Sequence, residues 1–249
     1  MLNGEIYIFG GSSNFNKIAR LQECEFKELS IQLEDRFDSV SGALITFSNR
    51  VYLCFFAWPY NSCEEFDGEQ TVKSNFTTNH AHCYGSLGVY NDQLLALGAG
   101  DWPGEGVRNK VEILKNETWI EIADFPLDIQ LTSTITVPEG MLVIGGWNQE
   151  SGLLRENPNS GGFYKQVYLL SDNVWSLVGN LNEPVSDATV IRVGEWIVTV
   201  AGDSANNNVE RFKWNGQEIE NVETISKHEN TILRPIAFQS YKNFCTFQN

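Results

Sequence analysis

Short apolar runs that end in glycine return along this chain at a regular interval. They read Ile6-Tyr7-Ile8-Phe9-Gly10-Gly11, Leu94-Leu95-Ala96-Leu97-Gly98-Ala99, Met141-Leu142-Val143-Ile144-Gly145-Gly146 and Ile197-Val198-Thr199-Val200-Ala201-Gly202. Their last residues, Gly11, Ala99, Gly146 and Gly202, are 88, 47 and 56 residues apart. The first interval is two periods, and Val51-Tyr52-Leu53-Cys54-Phe55-Phe56 fills its middle without the glycines. A period of about 45–50 residues built from strands predicts a radial or stacked array of like units.

The unit at 82–124 reads most clearly. Residues 82–90 predict a first strand that ends at the Asn91-Asp92 turn, and 93–97 a second that runs into Gly98-Ala99-Gly100. A third, 110–114, follows the polar loop 101–109, and a fourth, 118–122, carries Trp119. Four short strands separated by Asn, Asp and Gly turns predict an antiparallel meander. The pattern returns at 132–180 and 188–224, and in weaker form at 42–76. Segment 4–33 begins on a second strand and supplies three, and 233–247 reads as a first and a second strand. The expected fold class is all-β: one β-propeller of four-stranded antiparallel blades over residues 1–249. Its main form is an incomplete six-bladed ring. The alternative has five blades, with 233–239 pairing onto 4–9.

These units resemble Kelch repeats, in which a Gly pair ends the second strand and a Trp sits on the fourth. The glycines are Gly10-Gly11 and Gly145-Gly146, with Gly98 and Gly202 as single survivors. The tryptophans are Trp119 and Trp175, with Ile113 and Tyr168 six and seven residues before them. The resemblance covers nearly the whole chain. Glycine suits a turn out of an inner strand because it tolerates positive φ and close backbone approach. The tryptophans are expected to fill the space between adjacent blades.

Composition narrows the partners. With 17 basic against 32 acidic residues the net charge is −15, so no nucleic acid is expected, since phosphate binding needs a basic face. No run of about 18 apolar residues exists, so no membrane insertion is expected, and the chain is expected to be a monomer. No basic and then apolar leader is legible at the N-terminus, which leaves the compartment open. The five cysteines, Cys24, Cys54, Cys63, Cys83 and Cys245, show no paired zinc spacing. Most fall in strand-like runs, so they are expected to pack as thiols and leave the fold insensitive to reductant. Cys54 and Cys63 are the first candidates for a disulfide. Two glycosylation sequons, Asn75-Phe76-Thr77 and Asn116-Glu117-Thr118, are fewer than the roughly three that chance gives at this composition.

Catalytic motifs are sparse. His80-Ala81-His82 has the period-two spacing that puts two rings on one face of a strand, but no third ligand stands at a suitable distance. A structural role is the better expectation, and no metal or other cofactor is predicted. Copper radical oxidases share the fold, yet Cys83 and Tyr84 are adjacent and would point to opposite faces, so that pair cannot make their cross-link. No nucleophile elbow, P-loop or Asp-rich calcium loop is present. A carbohydrate-acting propeller, of the epimerase or mutarotase type and working at the channel mouth, is the alternative function.

One pattern points to binding. The loops between second and third strands carry Trp58, Trp102 and Trp147, and the same set carries Arg108 and Arg155, scarce charges in an acidic chain. A propeller brings these loops to one end. Large aromatic groups there are the raw material of a contact hot spot. The function expected by resemblance is a non-enzymatic module that binds a protein or peptide through these five residues.

Overall fold

A computed structural model describes residues 1–11, 14–37, 42–98, 108–148, 162–200, 202 and 208–227. Strands β1 (Tyr7–Phe9), β2 (Lys17–Gln22) and β3 (Glu25–Gln32) form the first sheet. The second holds β4 (Ala43–Phe47), β5 (Arg50–Cys54), β6 (Cys63–Phe66) and β7 (Thr71–Lys73). The third holds β8 (Ser86–Tyr90), β9 (Gln93–Leu97), β10 (Val111–Lys115) and β11 (Thr118–Glu121). The fourth holds β12 (Ser133–Val137), β13 (Gly140–Ile144), β14 (Gln166–Ser171) and β15 (Val174–Asn180). The fifth holds β16 (Thr189–Val193), β17 (Trp196–Val200), β18 (Asn208–Trp214) and β19 (Ile219–Lys227). Every sheet is an antiparallel meander in chain order, and the described residues contain no helix.

These sheets are the five blades of a β-propeller. The count corrects the six-bladed expectation in favour of its alternative. Alternation and turns identify 233–247 as strand-like, but they do not say whether two strands start a new sheet or serve an existing one. That segment lies outside the described residues.

The unbroken apolar runs of β5, β9 and β13 have a simple cause: these second strands are buried on both faces. Consecutive strand residues point to opposite sides. In β5, Val51 and Leu53 pack toward the first sheet against Tyr7, Phe9 and Leu29, while Tyr52 and Cys54 pack toward the third. In β9, Leu94 and Ala96 face the second sheet, and Leu95 and Leu97 face the fourth. In β13, Met141 and Val143 face the third sheet, and Leu142 and Ile144 face Ile197 and Phe212 of the fifth. Both fourth-strand tryptophans lie in these seams. Trp119 is buried between the second and third sheets. Trp175 donates its Nε1–H to the Ala123 carbonyl at 2.9 Å and meets Phe125 edge-on at 4.8 Å.

Glycine is favoured where a crossover passes over the end of a second strand. Gly145 has φ +61°, and a Cβ there would lie 2.1 Å from the Val185 carbonyl oxygen. In the second sheet Phe55 holds the same place at φ +66°, a conformation that costs an L-residue about 1–2 kcal/mol. Beside it, Cys54 and Cys63 face each other across β5 and β6, with Cα atoms 4.0 Å apart, and form a disulfide. Cys24, in the β2–β3 turn, is disulfide-bonded as well, whereas Cys83 is a buried thiol. The expectation of separate packed thiols therefore fails at Cys24, Cys54 and Cys63 and holds at Cys83. Strand membership, read as a sign of a packed thiol, is what brings residues 54 and 63 into register.

Three buried glutamates hold the crossovers. Glu64 accepts the Glu34 and Asp35 amides at 2.8 and 3.5 Å. Glu112 accepts the Asn79 and His80 amides at 2.8 and 3.1 Å, the Asn79 side-chain amide at 2.6 Å and a ring N–H of His82 at 3.0 Å. Glu210 accepts the Asn182 amide at 3.0 Å. All three stand on third strands opposite the residue two before the glycine position, so they are one repeated device. The matching residues of the first and fourth sheets are Ala19 and Tyr168. Burial is the largest influence on each carboxyl and pushes it up, and in Glu64 and Glu210 it prevails. In Glu112 the bonds from His82, Asn79 and His80 together outweigh burial and hold the carboxyl below its ordinary value.

Two outcomes follow from these contacts. Reducing the Cys54–Cys63 bond, which closes a loop of sequence separation 9, should lower stability by about 2–3 kcal/mol on the loop-entropy estimate. A Cys54→Ala/Cys63→Ala variant with the parent's urea midpoint would contradict this. The glutamates should respond to pH with opposite signs. A carboxyl lowered on folding stabilises above its unfolded value and loses that contribution as pH falls through the lowered one. The deficit of Glu112→Gln should thus be about 1–3 kcal/mol at neutral pH and close in acid. A carboxyl raised on folding loses its contribution as pH rises, so Glu210→Gln should gain on the parent as pH climbs through the raised value. Urea unfolding of both variants across the acidic range checks the pair of signs, and gaps that ignore pH would refute them.

Candidate functional site

In a four-stranded meander the two hairpin turns share one end of the blade. The loop from second to third strand and the crossover to the next blade share the other. The sequence thus brings the loops after β5, β9, β13 and β17 to the same end as the crossovers. Backbone hydrogen bonds join the two sets. Tyr60 and Asn61 carbonyls accept the His82 and Thr78 amides at 2.8 and 2.9 Å. Asn109 and Arg108 carbonyls accept the Phe125 and Ile129 amides at 2.8 and 3.2 Å. Trp147 exchanges both its backbone bonds with Gln130, at 2.8 and 3.0 Å, and bridges onward to Phe163.

At the centre of this end the first residues of the innermost strands surround a cavity of about 280 Å³. Its rim repeats around the axis. Tyr84, Leu131 and Asp187 occupy equivalent places before β8, β12 and β16, with φ of 62°, 56° and 54°. The Leu131 amide donates to the Tyr84 carbonyl at 2.9 Å, and the Asp187 amide to the Leu131 carbonyl at 2.7 Å. One step inward, Ser86 and Ser133 hydroxyls donate to the Thr132 and Ala188 carbonyls at 2.7 and 2.6 Å. The rim is a chain of backbone hydrogen bonds that fixes the third blade to the fourth and the fourth to the fifth. Asp187 is the carboxylate among its described lining residues, and the displaced carboxyls of Glu64, Glu112 and Glu210 lie under the crossovers instead.

The five residues singled out from sequence fall into three groups. Trp58 is 81% exposed, on the loop held at its base by the Cys54–Cys63 bond. Arg108 and Trp147 are half-buried, and among the described residues the Arg108 Nη1 has no hydrogen-bond partner. Trp102 and Arg155 lie outside the described residues. His80 and His82 do not converge on a ligand. His82 is fully buried with its ring nitrogens facing the Gly98 carbonyl and Glu112, while His80 lies 3.2 Å from Glu121 at the surface. Among the described residues no group of three potential ligands could hold a metal.

Sequence reasoning missed the rim and the three glutamates. Their signals were an acidic residue after the first apolar residue of a third strand, in Cys63-Glu64, Val111-Glu112 and Val209-Glu210, and a Ser at the head of β8 and β12.

No family model matches this chain, and no curated protein sequence does. Among solved structures 191 chains match. One, described as the structure of YjhT, superposes with a TM-score of 0.62 at 10% identity, over 80% of this chain and 70% of that one. At that identity the similarity is one of fold, and it identifies the chain as a β-propeller.

Proposed function

We propose that this chain is a Kelch-type propeller that binds a protein or peptide, without catalysis, across the end where loops and crossovers meet. The observation that carries the reading is Trp58. Its indole is 81% exposed, yet its loop is closed by a disulfide and pinned to the next crossover through the Tyr60 and Asn61 carbonyls. A large aromatic group on a fixed loop offers contact area with little ordering cost, which is what a hot-spot anchor needs. Arg108 adds a guanidinium edge on the neighbouring blade, and Trp147, Trp102 and Arg155 belong to the same loop set. The Kelch assignment rests on the recurring glycine and tryptophan positions. A carbohydrate-acting propeller would work instead from the central cavity, with Asp187 at its rim.

The test is selection of displayed peptides on the immobilised chain, followed by affinity measurement with Trp58→Ser. Selected peptides should lose roughly 30-fold or more in affinity, as removal of an anchor does. The variant should unfold within about 1 kcal/mol of the parent, as surface changes do. Equal binding to parent and variant would move the contact elsewhere. Failure to select any peptide, with monosaccharides displacing a probe from the cavity, would favour the carbohydrate reading.

A further inference from the structure

We infer that the chain is a glycoprotein that carries Asn-linked oligosaccharide on Asn75 and Asn116. The sequons alone say nothing, because their number is no more than chance gives. Two structural observations change that. The first is redox. Cys54–Cys63 is buried and bonded, and Cys24 is bonded too, so the fold is completed in an oxidising compartment, where thiols are not held reduced. The secretory lumen is such a compartment, and it is where N-x-[ST] sequons are modified.

The second is the state of the two asparagines. Asn75, Thr77, Asn116 and Thr118 are all exposed. No hydrogen bond among the described residues engages the Asn75 or Asn116 side chain, whereas those of Asn79, Asn173, Asn182 and Asn215 are all tied into the fold. The contrast is sharpest at equivalent hairpin tips. In the fourth sheet the Asp172-Asn173 turn docks on the third through the Tyr90 hydroxyl and the Ala123 amide. The Asn116-Glu117 turn, with φ of 50° and 60°, makes no such contact among the described residues and is open to solvent.

Position gives the sugars a task. Asn75 lies two residues past the end of β7 and Asn116 two residues before the start of β11, and these are the outer edge strands of their sheets. Each edge exposes a large aliphatic group, Val72 at 46% and Ile120 at 43%. Open apolar edges invite pairing between chains, and a bulky hydrated group at the strand end opposes it. The transfer itself joins Asn Nδ2 to C1 of an oligosaccharide carried on a polyisoprenoid diphosphate. The C1–O bond to the diphosphate breaks, the lipid diphosphate leaves, and the amide proton passes to a base of the transferase.

The experiment is translation of the full chain, behind a cleavable leader, in the presence of microsomes. Protease-protected chain should migrate as a doubly modified species that collapses to one band with peptide N-glycosidase. Asn75→Gln and Asn116→Gln should each remove one step, and so should Thr77→Ala and Thr118→Ala, which keep the asparagines. The double Asn variant should show none. Protected chain with the Cys54–Cys63 bond formed and no glycosidase-sensitive shift would overturn the inference, and a single step in the parent would overturn it for the unmodified site.

Discussion

The second, third and fourth blades of this propeller cannot bury their own apolar surface; each depends on its neighbours on both sides. The second strands show the constraint directly, because β5, β9 and β13 each deliver alternate residues to opposite seams. Burial of an aliphatic side chain contributes about 1.5–3 kcal/mol, so a blade that loses one neighbour loses several such contributions together. Cooperativity around the ring is the consequence. It also explains why these runs lack the polar alternation of a strand with one wet face.

Polar chemistry then fixes what packing leaves loose. A crossover must leave an outer edge and return to the axis, which strands its amides away from sheet partners. Glu64, Glu112 and Glu210 accept those amides from below, and the rim bonds from Tyr84 to Leu131 to Asp187 tie successive crossovers together. The loops that carry Trp58, Arg108 and Trp147 hang from the same crossovers. The end of the propeller that presents the Trp58 indole is therefore also the end where loops and crossovers are joined by directional bonds. A rigid frame under an exposed indole is a physical basis for recognition.

The repeat, the meander and the seam tryptophans were legible because they depend on period-two burial and on glycine at positive φ, both of which leave marks in composition. The disulfide was legible only as a candidate, since residues 54 and 63 meet through register rather than through their nearness in sequence. The glutamates were hidden because an acidic residue within a strand normally reads as solvent-facing, and its burial depends on amides about 30 residues away. The main blade count was one too high, with five as its alternative, because strand character at 233–247 does not specify a sheet partner. For the site, spacing marks the loop that carries Trp58 but not whether its indole faces solvent, and the backbone pairing of Trp147 with Gln130 follows from tertiary contact that spacing does not encode.

The central claim is that one end of the ring, the end of the second-to-third-strand loops, meets the partner. Site-specific photo-crosslinking tests it most directly, with a photoreactive residue placed at position 58 in one protein and at position 194, in the hairpin turn at the opposite end, in another. The account predicts adducts with a selected peptide from position 58 and none from position 194. Adducts from position 194 alone would contradict it.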